Sequence, residues 1–116
     1  MERLKNRIAI VTGAGQGIGR TLALGLAREG AKVVVADINE ENAASVKSEV
    51  EASGGTALAA STDVSNEDSV QTMVDESLRE FGKLDILINN AGIFPVSSVE
   101  EMKEEDWDRV IGTNLI

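Results

Sequence analysis

The sequence predicts an α/β fold: a parallel sheet with helices packed on both of its faces. Three observations carry this. Short runs rich in β-branched residues, such as Ile8-Ala9-Ile10-Val11 and Val33-Val34-Val35, have the unbroken hydrophobicity of strands buried on both sides. Between them lie longer stretches with apolar residues three and four apart, the period of a helix with one buried face. The two kinds alternate along the chain, and right-handed crossovers turn that alternation into a doubly wound, three-layer α/β/α arrangement. The 116 residues suffice for one small domain with one core, so residues 1–116 are read as a single unit.

The elements follow in order. The first strand is Arg7 to Val11, and it runs into Thr12-Gly13-Ala14-Gly15-Gln16-Gly17-Ile18-Gly19. A helix is expected from Ile18 to Glu29, with Ile18, Leu22 and Leu26 on one face and Gly30 as a left-handed cap. Lys32 to Ala36 is the second strand, ending in Asp37. Asn39 is a good N-cap for a helix over Glu40 to Ser53, whose first turn carries Glu40 and Glu41. Ala43, Val46 and Val50 mark its inner face, and Gly54-Gly55 ends it. Ala57 to Ser61 is a short, alanine-rich third strand, left through Asp63-Val64. Ser65 and Asp68 have capping-box spacing for the next helix. That helix carries Val70, Met73, Val74, Leu78 and Phe81 on one side and stops at Gly82. Leu84 to Ile88 is the fourth strand, closed by Asn89-Asn90-Ala91-Gly92. After Pro95 and a polar turn, a last helix begins near Glu104, with Trp107, Val110, Ile111 and Leu115 as its apolar side.

The glycine-rich stretch between the first strand and the first helix is the centre of the pattern. Its spacing is G-x-x-x-G-x-G, at Gly13, Gly17 and Gly19; neither Gly13 nor Gly15 starts a G-x-G-x-x-G match. Backbone without Cβ can approach a pyrophosphate closely, and a helix N-terminus presents free N–H groups and a positive dipole end to it. A glycine-rich turn without a ligand is the plainer alternative. Asp37, about 20 residues further on, favours the dinucleotide reading, because an acid there can accept from the adenosine ribose hydroxyls. The fold is then Rossmann-type, with strand order 3-2-1-4 and the ligand at the carboxyl ends, near the switch between strands 1 and 4.

Composition excludes several chemistries. The formal charge of −9 argues against nucleic acid or an anionic membrane surface as partner. Cysteine and histidine are both absent, which removes disulfides, thiol nucleophiles, Ser-His-Asp triads and the usual zinc sites, so no metal is expected. Met1 to Arg7 is charged and lacks an apolar signal core, and no apolar run approaches the length of a membrane span. A cytoplasmic protein is the expectation.

These residues resemble the short-chain dehydrogenase/reductase family. The resemblance runs from Arg7 to Leu115 and rests on Thr12-Gly13-x-x-x-Gly17-x-Gly19, Asp63-Val64, Asn89-Asn90-Ala91-Gly92 and Asn114, in that order. It implies a nicotinamide dinucleotide cofactor and hydride transfer between an alcohol and a carbonyl. By the resemblance, Gly13, Gly17 and Gly19 line the pyrophosphate, and Ile18 contacts the cofactor through its backbone. Asp63 and Val64 flank the adenine; Asn90, Ala91 and Gly92 run beside the ribose and nicotinamide. Asn114 corresponds to the family's catalytic asparagine, which holds a water in a proton relay. Three of the positions also have a structural alternative: Asn90 as a side chain satisfying strand-end backbone, Asn114 as an amide bonded within its own helix, Asp37 as a helix-entry turn residue. A carboxylate at Asp37 and a neutral residue at Gln16, where phosphate-preferring members often carry a base, predict NAD over NADP.

The family's chemistry also uses a serine, a tyrosine and a lysine four residues after it, all downstream of the asparagine. This sequence contains no tyrosine and runs two residues past Asn114. It therefore reads as the cofactor-binding portion of such an enzyme, cut after the fourth strand and part of the following helix. The alternatives are a non-catalytic NAD-binding module and an interaction domain that kept the fold and lost the ligand. The apolar fourth strand and the Trp107 helix predict association, and the resemblance implies a homo-oligomer. The substrate class stays at a small alcohol or carbonyl compound.

Overall fold

The computed structural model describes residues 3–90. Ala91, Gly92, Asn114 and the helix expected from Glu104 lie outside them. The described residues form β1 (Ile8–Thr12), α1 (Gly17–Arg28), β2 (Lys32–Asp37), α2 (Glu40–Ala52), β3 (Ala57–Ser61), α3 (Glu67–Phe81) and β4 (Ile86–Ile88). The sheet order is β3-β2-β1-β4, as the sequence predicts, and every pairing is parallel. Ile10 sits between Val34 and Leu87 in register, and Val34 in turn lies opposite Leu58.

The alternation of side chains along β1 and β2 divides the core into two layers. Ile8, Ile10, Val34 and Ala36 face α3, where they meet Val70, Met73 and Val74, together with Leu87 of β4 and Leu84 just before it. Val11, Val33 and Val35 face the other way, against Ala23 of α1 and Ala43, Val46 and Val50 of α2. So α1 and α2 cover one face and α3 the other. A fully buried valine or isoleucine stabilises by ~1.5–3 kcal/mol relative to an exposed one. The strands apolar on both faces therefore supply most of the driving force.

Helix ends are built locally. Asn39 caps α2 by accepting from the Asn42 N–H at 2.9 Å. The ends of α1 and α2 both pass through a left-handed glycine, Gly30 (φ 97°) and Gly54 (φ 93°). At each, the next residue returns its N–H to the helix: Ala31 to the Leu26 carbonyl and Gly55 to the Val50 carbonyl.

Three expectations are corrected. The cap of α3 is Asn66, which accepts from the Ser69 N–H, and not Ser65. Ser65 is drawn instead to Asp63, whose carboxylate accepts both its N–H and its hydroxyl. Ile18 is not on the inner face of α1: it is 73% exposed, while Gly19 and Ala23 are buried and Leu22 and Leu26 flank them. Gly19 and Ala23 take the side of α1 turned to the sheet, which leaves Ile18, near the start of the helix, facing the loop cluster. β4 is shorter than expected. Leu84 is fully buried, but Asp85 turns its N–H to the Ile8 carbonyl and its carboxylate to the Ile8 N–H, closing the amino end of β1.

Candidate functional site

The loops that leave the four strands gather at the carboxyl edge of the sheet and enclose an open cavity of about 830 Å³. Gly13, Gln16, Gly17 and Ile18 line it from the turn after β1. Asp37 and Ile38 come from the end of β2, Thr62, Asp63, Val64 and Ser65 follow β3, and Asn90 follows β4.

The β1–α1 turn is shaped by its glycines. Gly13 and Gly17 take φ of 62° and 60°, a backbone that side chains disfavour. No atom lies within 4 Å of a Cβ built on Gly17, so the space above the turn is open. Gly19 does not line the cavity. A Cβ there would fall 2.1 Å from the Gly13 carbonyl oxygen and 2.7 Å from Asn90 Nδ2. Its bareness lets α1 begin directly beneath the turn and lets the Asn90 amide lie over it.

The start of α1 differs from the other two helix starts. Gln16 gives α1 no side-chain cap and the first turn holds no acid, whereas α2 and α3 each have an asparagine cap and two acids. The first N–H groups of a helix have no intrahelical acceptor. At α1 those groups and the positive dipole end are left for whatever occupies the cavity.

Asp37 is fixed at both carboxylate oxygens. Oδ2 accepts the Gly15 N–H at 2.8 Å and Oδ1 accepts the Asn39 N–H at 2.8 Å. An ionised carboxylate oxygen takes about two hydrogen bonds, so each keeps an acceptor site. Asp63 is similarly oriented: its Oδ1 accepts the Ser65 hydroxyl at 2.6 Å and the Ser65 N–H at 2.9 Å. These bonds, the hydroxyl's first, hold its carboxyl below the usual range. Arg20, one turn into α1, makes a two-pronged pair with Glu49 of α2 and faces away from the role of a cavity cation.

Thr12 joins the carboxyl ends of β1 and β4 below the cavity. Its fully buried hydroxyl donates to Asn89 Oδ1 at 3.1 Å, with the Ile88 carbonyl at 3.4 Å, and accepts the Asn90 N–H at 2.9 Å. The strand-end side chain engaged here is thus Asn89, while Asn90 is held through its backbone.

The structure brings Gly13, Gln16, Gly17, Ile18, Asp37, Asp63, Val64 and Asn90 to one cavity and places Gly19 behind it. Sequence reasoning missed Ile38, Thr62 and Ser65 as lining residues. Ile38 offered one signal, a large apolar residue in the short turn between an acid and a helix cap; it is 71% exposed. No group of residues that could hold a metal ion occurs among the described residues, and no helix there is long and apolar enough to cross a membrane.

The sequence pattern of the family described as short chain dehydrogenase matches residues 7–116. The short chain dehydrogenase/reductase astE of Aspergillus oryzae is 47% identical over 115 residues, covering 97% of this chain and 44% of that protein. A 3beta-hydroxysteroid dehydrogenase of Mediterraneibacter gnavus is 45% identical over 116 residues, covering 99% of this chain and 42% of its own length. Among solved structures, a 7 alpha-hydroxysteroid dehydrogenase complexed with NADH and 7-oxo glycochenodeoxycholic acid superposes with a TM-score of 0.77. It is 35% identical, and the match covers 96% of this chain and 45% of that one. The chain thus spans less than half the length of these relatives. The match takes in the glycine turn, the acid at the end of β2 and the residues leaving β4, the same loops that build the cavity, and the chain belongs to the short chain dehydrogenase family.

Proposed function

We propose that the cavity binds a nicotinamide dinucleotide, NAD in preference to NADP, and that the chain serves an oxidoreductase acting on an alcohol and carbonyl pair. The observation that carries the preference is Asp37. Its carboxylate is held at the cavity by two backbone N–H groups. Among the described residues that line the cavity there is no lysine or arginine to offset it. Gln16 is neutral, and Arg20 is engaged by Glu49. A ribose with free hydroxyls gains an acceptor at Asp37; a 2′-phosphate meets a like charge.

The proposed roles combine the cavity lining with the family resemblance. Gly13, Gly17 and the start of α1 receive the pyrophosphate. Ile18, Ile38 and Val64 offer apolar contact and Asp63 an acceptor toward the adenine. Asn90 lines the cavity; by the family pattern Ala91 and Gly92 serve with it on the ribose and nicotinamide side, and Asn114 serves the proton relay. When bound, the cofactor supplies hydride exchange with a carbon of the substrate. The tyrosine that the family uses for proton transfer is not in this sequence, so the residues that line the cavity are assigned cofactor binding. Titration of the purified chain with NADH and then NADPH, followed by cofactor fluorescence, tests this. Saturable binding with NADH the tighter ligand is expected. Equal or tighter binding of NADPH refutes the preference, and no binding of either refutes the dinucleotide reading.

A further inference from the structure

Gly15 falls at an unassigned position of the glycine pattern, has no positive φ, and does not line the cavity. Conformation therefore does not demand glycine there. Space does. A Cβ built on Gly15 would fall 2.7 Å from Asp37 Oδ2, 2.9 Å from Asp37 Cγ and 2.6 Å from the Cβ of Asn42. Contacts below 3.0 Å are not tolerated, so something must move. At the same time the Gly15 N–H is one of the two donors that hold the Asp37 carboxylate. The other, from Asn39, belongs to the turn that caps α2, where Asn39 in turn accepts from the Asn42 N–H. Gly15 thus lies against the one carboxylate on which the cofactor preference rests, donating to it and leaving room for it.

We propose that Gly15 is the positioning residue for cofactor choice: with glycine at 15 the Asp37 carboxylate docks on the 15 N–H and points its remaining acceptor sites at the ribose; with any side chain at 15 it is displaced and discrimination against the 2′-phosphate is lost. This rests on the NAD preference proposed above. The collision is with both oxygen and carbon of the Asp37 carboxyl, so turning the carboxyl in place does not relieve it. The side chain must swing away from the Gly15 N–H, which moves the acceptor from its place at the cavity.

The test is the ratio of NADPH to NADH dissociation constants, measured by fluorescence titration on the wild-type chain and on Gly15→Ala, Asp37→Ala and Gly25→Ala. Gly25 lies in α1, the helix that follows the turn of Gly15, and a Cβ there meets nothing within 4 Å, so Gly25→Ala controls for altered chain stiffness. Gly15→Ala is expected to weaken NADH binding at least tenfold and NADPH binding much less, so that the ratio falls to that of Asp37→Ala. Gly25→Ala keeps the wild-type ratio. The double variant Gly15→Ala/Asn42→Gly removes the collision with Asn42 and keeps that with Asp37; it shows the same fall in ratio and serves if Gly15→Ala alone does not fold. A parallel loss of both affinities in these variants, with the ratio kept, makes Gly15 a packing residue and overturns the proposal while leaving the NAD preference standing. A wild-type chain without preference for NADH refutes the preference itself, and the proposal with it.

Discussion

Replacing Thr12 by valine exchanges one hydroxyl for a methyl group at nearly constant volume, in a residue with no exposed surface. Two hydrogen bonds disappear: the one Thr12 accepts from the Asn90 N–H at 2.9 Å and the one it gives to Asn89 Oδ1 at 3.1 Å. A typical intramolecular hydrogen bond contributes about 1 ± 0.5 kcal/mol net, so the pair comes to roughly 1–3 kcal/mol. Asn90 is exposed, and water can take over its N–H, which pulls the value toward about 2 kcal/mol. For a domain of this size that is a fall in Tm of roughly 8–16 °C. The effect on the site is more specific than the effect on stability. Asn90 lies over Gly19 beside the glycine turn, and Thr12 is what ties its backbone there. Urea unfolding followed by circular dichroism gives the stability, and amide hydrogen exchange reads the tie. The Asn90 amide is expected to exchange faster in Thr12→Val, the amides of β2 to keep their protection, and Thr12→Ser to restore Asn90 protection. Thr12→Val with stability within about 0.5 kcal/mol of wild type and unchanged Asn90 exchange refutes this reasoning.

Four further outcomes are expected. Gly19→Ala, whose Cβ would fall 2.1 Å from a backbone oxygen, costs about 3 kcal/mol or more by overpacking. Gly25→Ala, in open space on the same helix, gains about 0.5–1 kcal/mol from the lost flexibility of the unfolded chain; parallel urea titrations measure both. Asn66→Ala removes the cap of α3 and lowers stability by about 1 kcal/mol in the same assay. Burial pushes the Asp85 carboxyl up, but the Ile8 N–H and the charges of Lys83 and Arg7 outweigh it and leave it below its ordinary value of 3.8. A carboxyl depressed in the folded state contributes stability above its unfolded value, and loses it as pH falls through the folded one. Asp85→Asn should therefore flatten the acid limb of a stability–pH curve below about pH 4, and an unchanged limb contradicts the role of Asp85.

The strands and helix faces could be read from the sequence because period is a local property, and the sheet order followed from the dinucleotide-binding pattern of the glycine turn and Asp37. Val33-Val34-Val35 and the 43, 46, 50 spacing of α2 need no knowledge of what they pack against. The glycines of the turn were readable for the same reason, as was Asp37 as an acid at a strand end. What escaped depends on contacts between distant segments. Ser65 has the spacing of a cap, but Asp63 captures it, because two bonds to a carboxylate outweigh one weaker cap bond. Ile18 fits the helix face by period, yet the helix starts above the sheet edge and turns it to the cavity. Gly15 is unremarkable in the pattern, and only the approach of α2 and Asp37 shows why a side chain is excluded there.

The most direct test of the account maps NADH binding onto the chain by amide chemical-shift perturbation. Shifts that saturate and concentrate at Gly13, Gly17, Ile18, Ile38 and Asp63, around the cavity at the carboxyl edge, are predicted. The hollow at the opposite edge, between Arg28, Lys32 and Gly54, should stay unmoved. Saturable shifts at that opposite edge, or none on any residue, would contradict the account.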